Sequence, residues 1–156
     1  MDWLATLENS AFATWLRESN TIWAYPLVLT LHTVGLALLV GANWVLDLRI
    51  LGGMGRVTIP DLSWTFRVMW IGFWVNAVSG AMLFAADATT KGSTRLFVAK
   101  LALVGMGVGV ILLTKRALYP SGAAAATPSG AARALALTSI ALWVAAIAAG
   151  RFMAYI

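Results

Sequence analysis

The chain is 156 residues long, 61% apolar and 11% charged, with a mean hydropathy of +0.85. That balance excludes an ordinary soluble domain, which needs far more polar surface, and points to a membrane protein. The formal net charge is +5. Its basic residues are scattered with no aromatic-interleaved stripe, so attraction to anionic headgroups accounts for them better than nucleic-acid binding does.

The first residues do not read as a cleavable signal peptide, because Asp2 and Glu8 precede the first arginine where a basic segment would be needed. In residues 2–18, Trp3, Leu4, Leu7, Ala11, Phe12, Trp15 and Leu16 recur at helical spacing, and Asp2, Glu8, Asn9, Arg17 and Glu18 fall mostly opposite. The pattern predicts an amphipathic helix. It either lies in the membrane interface or packs on the bundle or a neighbouring subunit.

A membrane-crossing helix needs about 20 apolar residues. Four segments meet this, at residues 22–46, 67–86, 96–113 and 133–155. The breaks are Gly52 to Pro60, Asp87 to Ser93, and the Pro-Ser-Gly pairs at Tyr119–Gly122 and Thr127–Gly130, with the alanine run Ala123 to Ala126 as filler. Short links make neighbours antiparallel, so the predicted fold is an all-α, single-domain, integral membrane up-down four-helix bundle with an N-terminal interfacial amphipathic helix. Eight tryptophans suit wide interfacial belts.

Orientation follows from Lys and Arg near the span ends. Arg49, Arg56, Arg67, Lys115, Arg116 and Arg133 lie on the links after spans 1 and 3, against Arg17, Lys91, Arg95 and Arg151 on the other side. This predicts a multi-pass protein of a bacterial inner membrane with both termini periplasmic.

Span 1 carries the only histidine, His32. An ionisable group at membrane depth is costly and normally faces the protein interior with a partner or ligand. At about 1.5 Å per residue, His32 lies near the middle of span 1. Lys100 is about one turn inside span 3 and Arg151 about one turn from the end of span 4, both toward the same face. Span 2 adds Asn76, Ser79 and Gly80 at middle to same-side depth. One imidazole topped by two cations matches a haem, whose iron takes an imidazole and whose propionates take Lys or Arg. Gly35, Gly41, Gly80, Gly105, Gly107 and Gly109 would allow close approach of helices or macrocycle. The competing reading has His32 bonded across helices to Asn76 or Ser79, the cations snorkelling, and the glycines serving helix packing alone.

Asp47 and Arg49 sit where span 1 leaves the membrane and are too close in sequence to face each other. They predict a clamp to another element, such as Asp47 to Arg67 or Arg116; the sharper reading is a quinone or proton access site. Zinc lacks further ligands, no Ser/His/Asp spacing supports hydrolysis, and Met69, Met82, Met106 and Met153 form no copper-binding row. No inverted repeat marks a transporter.

Leu31-His32-Thr-Val-Gly35 on span 1, followed by Lys100-Leu-Ala-Leu-Val104 on span 3, resembles the HemJ-type protoporphyrinogen IX oxidases. The chain is also similar to CopD-like and small b-type cytochrome membrane bundles. Leu31 to Gly35, Asp47 to Gly52 and Gly150 to Tyr155 together resemble a bacterial four-span family with the pattern LHxxG…DLRxxG…GR…AY. The HemJ resemblance implies His32 as axial ligand of haem b and Lys100 near propionates or substrate. The chain departs from it in having Asp47-Leu-Arg49 downstream of the histidine and no second histidine.

The sequence therefore predicts a b-type haem protein for electron transfer or redox or gas sensing. Its site is His32 as metal ligand with Lys100, Arg151, Gly35, Asn76 and Gly80. The sixth iron position is open, taken by a methionine such as Met106, or supplied by another chain of a homo-oligomer. The alternatives are an oxidoreductase acting on a porphyrin or quinone, with a membrane redox partner, and a cofactor-free accessory subunit.

Overall fold

The structure is a computed structural model that describes residues 2–120, 122 and 127–155, without the side chains of Asp2 and Ala154. The alanine run Ala123 to Ala126 lies outside the described residues. Those described form helices and no strand: α1 (Asp2–Glu8), α2 (Ala11–Glu18), α3 (Tyr25–Ile50), α4 (Thr65–Ala86), α5 (Ala88–Gly92), α6 (Arg95–Leu118) and α7 (Gly130–Phe152), with 3-10 turns at Pro60–Leu62 and Met153–Tyr155. Four of the helices are long and apolar enough to cross a membrane.

Local chemistry sets the ends. Pro26 stands at the start of α3, where its missing N–H costs nothing. Ser129 caps α7 by accepting from the Ala132 N–H at 3.1 Å. The single amphipathic helix expected over residues 2–18 is broken in two. Asn9 leaves the helix and Ser10 caps α2, accepting from the Ala13 N–H at 3.3 Å. A cap satisfies a backbone donor that an unbroken helix would bond through its own carbonyls, and here it wins.

In each long helix no more than 28% of the hydrophobic window is buried, and the outward residues are Leu, Val, Ile and Trp. The exposed surface is thus as apolar as the interior, the pattern of helices solvated by lipid. Exposed threonines conform to this. Thr30 donates to the Pro26 carbonyl at 2.8 Å and Thr33 to the Leu29 carbonyl at 3.0 Å, so neither hydroxyl needs water.

Two antiparallel pairs, α3 with α4 and α6 with α7, make most of the interhelical contacts, and α3 also meets α7. The α3–α4 crossing is backbone on backbone. A Cβ on Gly35 would stand 2.6 Å from the Asn76 nitrogen, and one on Gly72 would stand 2.5 Å from the Leu39 nitrogen. Small residues at such a crossing let dispersion forces act between main chains. In the α6–α7 pair the Trp143 ring lies against Gly107, 2.9 Å from where a Cβ would be. The buried seam of α7 is Ala132, Ala136, Ser139, Trp143 and Ala146, alternating four and three residues. That spacing keeps one narrow stripe facing its neighbours.

Helices α1, α2 and α5 close the end that carries the termini. Leu16 and Ala13 of α2 are fully buried, and Arg17 donates to the Ala86 carbonyl at the end of α4, at 3.2 Å. The N-terminal segment therefore packs on its own chain, while Trp3, Phe12 and Trp15 stay exposed on its outer face.

Candidate functional site

Two polar groups on α3, about three turns apart, are held by different helices. The first is built on His32. Its Nδ1 lies 3.0 Å from the Asn76 carbonyl oxygen and 3.3 Å from Ser79 Oγ. Asn76 returns the contact, its side-chain amide donating to the His32 carbonyl at 2.8 Å. Ser79 donates its own proton to the Val75 carbonyl at 2.6 Å. A carbonyl only accepts, so Nδ1 carries the ring proton and Nε2 is left with its lone pair. Nε2 has no hydrogen-bond partner among the described residues. Gly80 makes room for the ring, since a Cβ there would come within 3.0 Å of His32 Cε1.

Lys100 of α6 is half-buried and within electrostatic reach of His32. Its stem runs along α7 at Gly150, where a Cβ would lie 3.5 Å from Nζ. Among the described residues no carboxylate pairs with it. The structure thus brings together His32, Asn76, Ser79, Gly80 and Lys100.

Three residues predicted for this site are placed otherwise. Arg151 is exposed, its guanidinium 5.4 Å from the centre of the Tyr155 ring, and no contact joins it to Lys100 or His32. The short 3-10 turn after α7 brings that ring within its reach. Met106 is half-exposed, because its neighbour Gly107 is the residue that turns inward onto Trp143. Gly35 faces the α4 backbone, so the space over it is spent on helix packing.

The second polar group is Asn43, Asp47 and Ser139, all buried. The Asn43 amide nitrogen donates to Asp47 Oδ2 and to Ser139 Oγ, both at 2.6 Å. Asp47 was expected to pair with Arg67 or Arg116; it pairs with neither. One turn separates Asn43 from Asp47, so both face α7, whereas the arginines lie on the exposed rims of α4 and α6. Arg49 bonds instead to the Val57 carbonyl. Asp47 Oδ1, Trp44 Nε1 and Trp143 Nε1 are buried without a hydrogen-bond partner among the described residues. Asn43 and Ser139 were missed by sequence reasoning, although the Asn-x-x-x-Asp spacing on one helix face was there to be read.

The chemistry available at the two levels differs. The His32 level has an imidazole nitrogen without a protein partner, oriented by a carbonyl behind it, and a lysine without a carboxylate nearby. Those residues would supply one nitrogen ligand to a haem iron and one cation to a propionate. They offer no second axial ligand, since Met106 faces outward. Among the described residues no three His, Asp or Glu side chains gather to hold a metal ion without a macrocycle. Set against family models, curated proteins and solved structures, the chain matches none of them.

Proposed function

We propose that this chain is a multi-pass membrane protein that holds haem b on His32 and serves electron transfer or redox or gas sensing. One observation carries the reading: the Nδ1 proton is committed to the Asn76 carbonyl at 3.0 Å, and Nε2 is free. A donated Nδ1 proton fixes the tautomer and raises the basicity of the other nitrogen, as metal-bound imidazoles require. Lys100 supports the reading as a half-buried cation without a carboxylate. It is suited to neutralise a propionate. When bound, the haem supplies one-electron or small-gas chemistry. The chain's own part is to orient the ring through Asn76 and Ser79, to seat it against α4 at Gly80, and to supply the Lys100 charge. The second iron position is then open or filled from another copy in a homo-oligomer, to which the outward Met106 is accessible.

The four long helices form an up-down bundle across a bacterial inner membrane in this reading. The end bearing Arg49, Arg56, Arg67, Lys115, Arg116 and Arg133 faces the cytoplasm, and Trp3, Phe12 and Trp15 lie in the opposite interface. The chain has no cysteine, so single cysteines introduced at 56 and 155 report orientation against an unlabelled background.

The test is the absorption spectrum of detergent-purified protein supplied with haem b. A Soret band is expected, lost in His32→Ala and retained with weaker haem affinity in Lys100→Gln. A colourless protein, or a band indifferent to His32→Ala, overturns the proposal. The second reading is a cofactor-free accessory subunit, favoured by the way His32 and Asn76 already bridge α3 and α4. It predicts that colour is absent and that His32→Ala changes only stability.

A further inference from the structure

The opposite end of the molecule holds a cleft of about 380 Å³, lined by Ser63, Phe66, Lys115, Arg116, Tyr119 and Gly122. That volume falls in the range of roughly 300–1,000 Å³ typical of small-ligand sites. Its charge is unbalanced. Every ion pair among the described residues lies at the end carrying the termini: Arg17 with Glu8 at 3.9 Å and with Glu18 at 3.3 Å, and Lys91 with Asp87 at 3.5 Å. At the cleft end Asp47 is buried against Asn43, and Asp61 accepts from the Thr58 N–H at 2.9 Å and its hydroxyl at 2.6 Å, bonds that leave its negative charge in place. Neither forms an ion pair with Lys115 or Arg116, and Arg49, Arg56, Arg67 and Arg133 leave that end with a cationic excess.

The cleft is also shaped. Lys115 Nζ stands 5.7 Å from the centre of the Phe66 ring, and Tyr119 meets Phe66 edge-on at 6.1 Å. The Tyr119 hydroxyl donates to the Ile59 carbonyl at 3.2 Å, tying the wall to the α3–α4 link. Burial pushes the Tyr119 hydroxyl up, so it stays protonated and able to donate. Two cations without a carboxylate partner and a serine hydroxyl line one concavity. Phosphate oxygens match both.

We propose that this cleft binds a phosphate group, presented by the headgroup of an anionic phospholipid. Lys115 and Arg116 supply the charge, the Ser63 hydroxyl a further hydrogen bond, and Phe66 and Tyr119 the apolar wall against the glycerol. The lipid is favoured over a soluble phosphate because the cleft opens at the end of membrane-length helices, at headgroup depth. The proposal is independent of His32 and of any haem.

The test is native mass spectrometry of the full chain released from nanodiscs of mixed phosphatidylglycerol and phosphatidylcholine, counting retained lipids. The parent protein is expected to keep phosphatidylglycerol in preference. Each basic charge at the surface contributes roughly fivefold to anionic-lipid binding, so Lys115→Gln with Arg116→Gln is expected to weaken retention by roughly thirtyfold. The charge-preserving pair Lys115→Arg with Arg116→Lys is expected to retain it, and Arg133→Gln, a single charge outside the cleft, to weaken it by no more than about fivefold. Equal retention in the neutralised variant overturns the site. So does loss in the charge-preserving pair, which would mean packing and not charge was removed. Displacement by added inorganic phosphate, with no preference between the two lipids, overturns the lipid source.

Discussion

The two polar levels of α3 are built from the same helix and solve opposite problems. Asn43 and Asp47 are enclosed against α7, where the Asn43 amide bonds Asp47 Oδ2 and Ser139 Oγ and Asp47 Oδ1 is shut away from any outside partner. His32 is half-buried, tied by one nitrogen to α4 and open at the other. A closed polar cluster of this kind specifies how helices fit together; an open one leaves bonding capacity for something else. Burial alone is thus a poor guide to function along α3. The more buried group reads as a clamp and the less buried one as a ligand site.

The largest effect is expected where the His32 level and the α3–α4 pairing depend on one contact. Gly72→Leu forces a side chain into the α3–α4 backbone crossing and is expected to cost at least about 3 kcal/mol, the upper end of overpacking penalties. It should abolish haem retention as well, because Asn76 and Gly80 move with α4. Thermal unfolding in detergent together with the Soret band checks both. A stable, coloured variant would break the description of the crossing.

Asn43→Ala sharpens the contrast. Removing the amide takes a donor from Asp47 and from Ser139 and leaves the Ser139 hydroxyl as the remaining partner of Asp47, at a cost of about 1–3 kcal/mol. The Soret band should survive. His32→Ala should do the reverse, losing haem while costing the haem-free protein only about 1 kcal/mol, the worth of an ordinary hydrogen bond. If Asn43→Ala loses haem and His32→Ala does not, the assignment of roles is inverted.

The smallest effect concerns the α1–α5 contact. Glu8 accepts from the Thr89 hydroxyl at 2.5 Å and the Thr89 N–H at 2.7 Å. The hydroxyl bond first, then the backbone bond, holds the Glu8 carboxyl below its usual range, aided by Arg17. A carboxyl depressed in the folded state stabilises it above the usual carboxylate range, and that contribution disappears as pH falls through the depressed value. Protection of the α1 amides, taken relative to the intrinsic exchange rate at each pH, should therefore fall on acidification in the parent. In Glu8→Gln it should already be low at neutral pH. A flat profile in the parent would show that the contact does not hold α1.

Much of this was legible in residue order. Four apolar runs of membrane length can satisfy their main-chain bonds only as helices, and prolines and glycines between them mark the breaks. The depth of His32 beside Asn76, Ser79, Gly80 and Lys100 followed from helical rise and antiparallel order. The N-terminal helix was harder, because hydrophobic periodicity runs through Asn9 and Ser10 while local capping interrupts it there.

What residue order alone determined, then, is where the chain is apolar for long enough to cross a bilayer and which few polar groups travel inside. That much depends on local main-chain bonding and composition. The tertiary structure decided which partner each polar group took: Asp47 with Asn43 and α7 instead of an arginine, Arg151 over Tyr155 instead of beside Lys100, and Met106 outward instead of toward His32. Rotation of each helix about its axis makes those choices. Close fits such as Gly72 against Leu39 and Gly107 against Trp143 set that rotation, and such fits depend on the shape of the neighbouring helix.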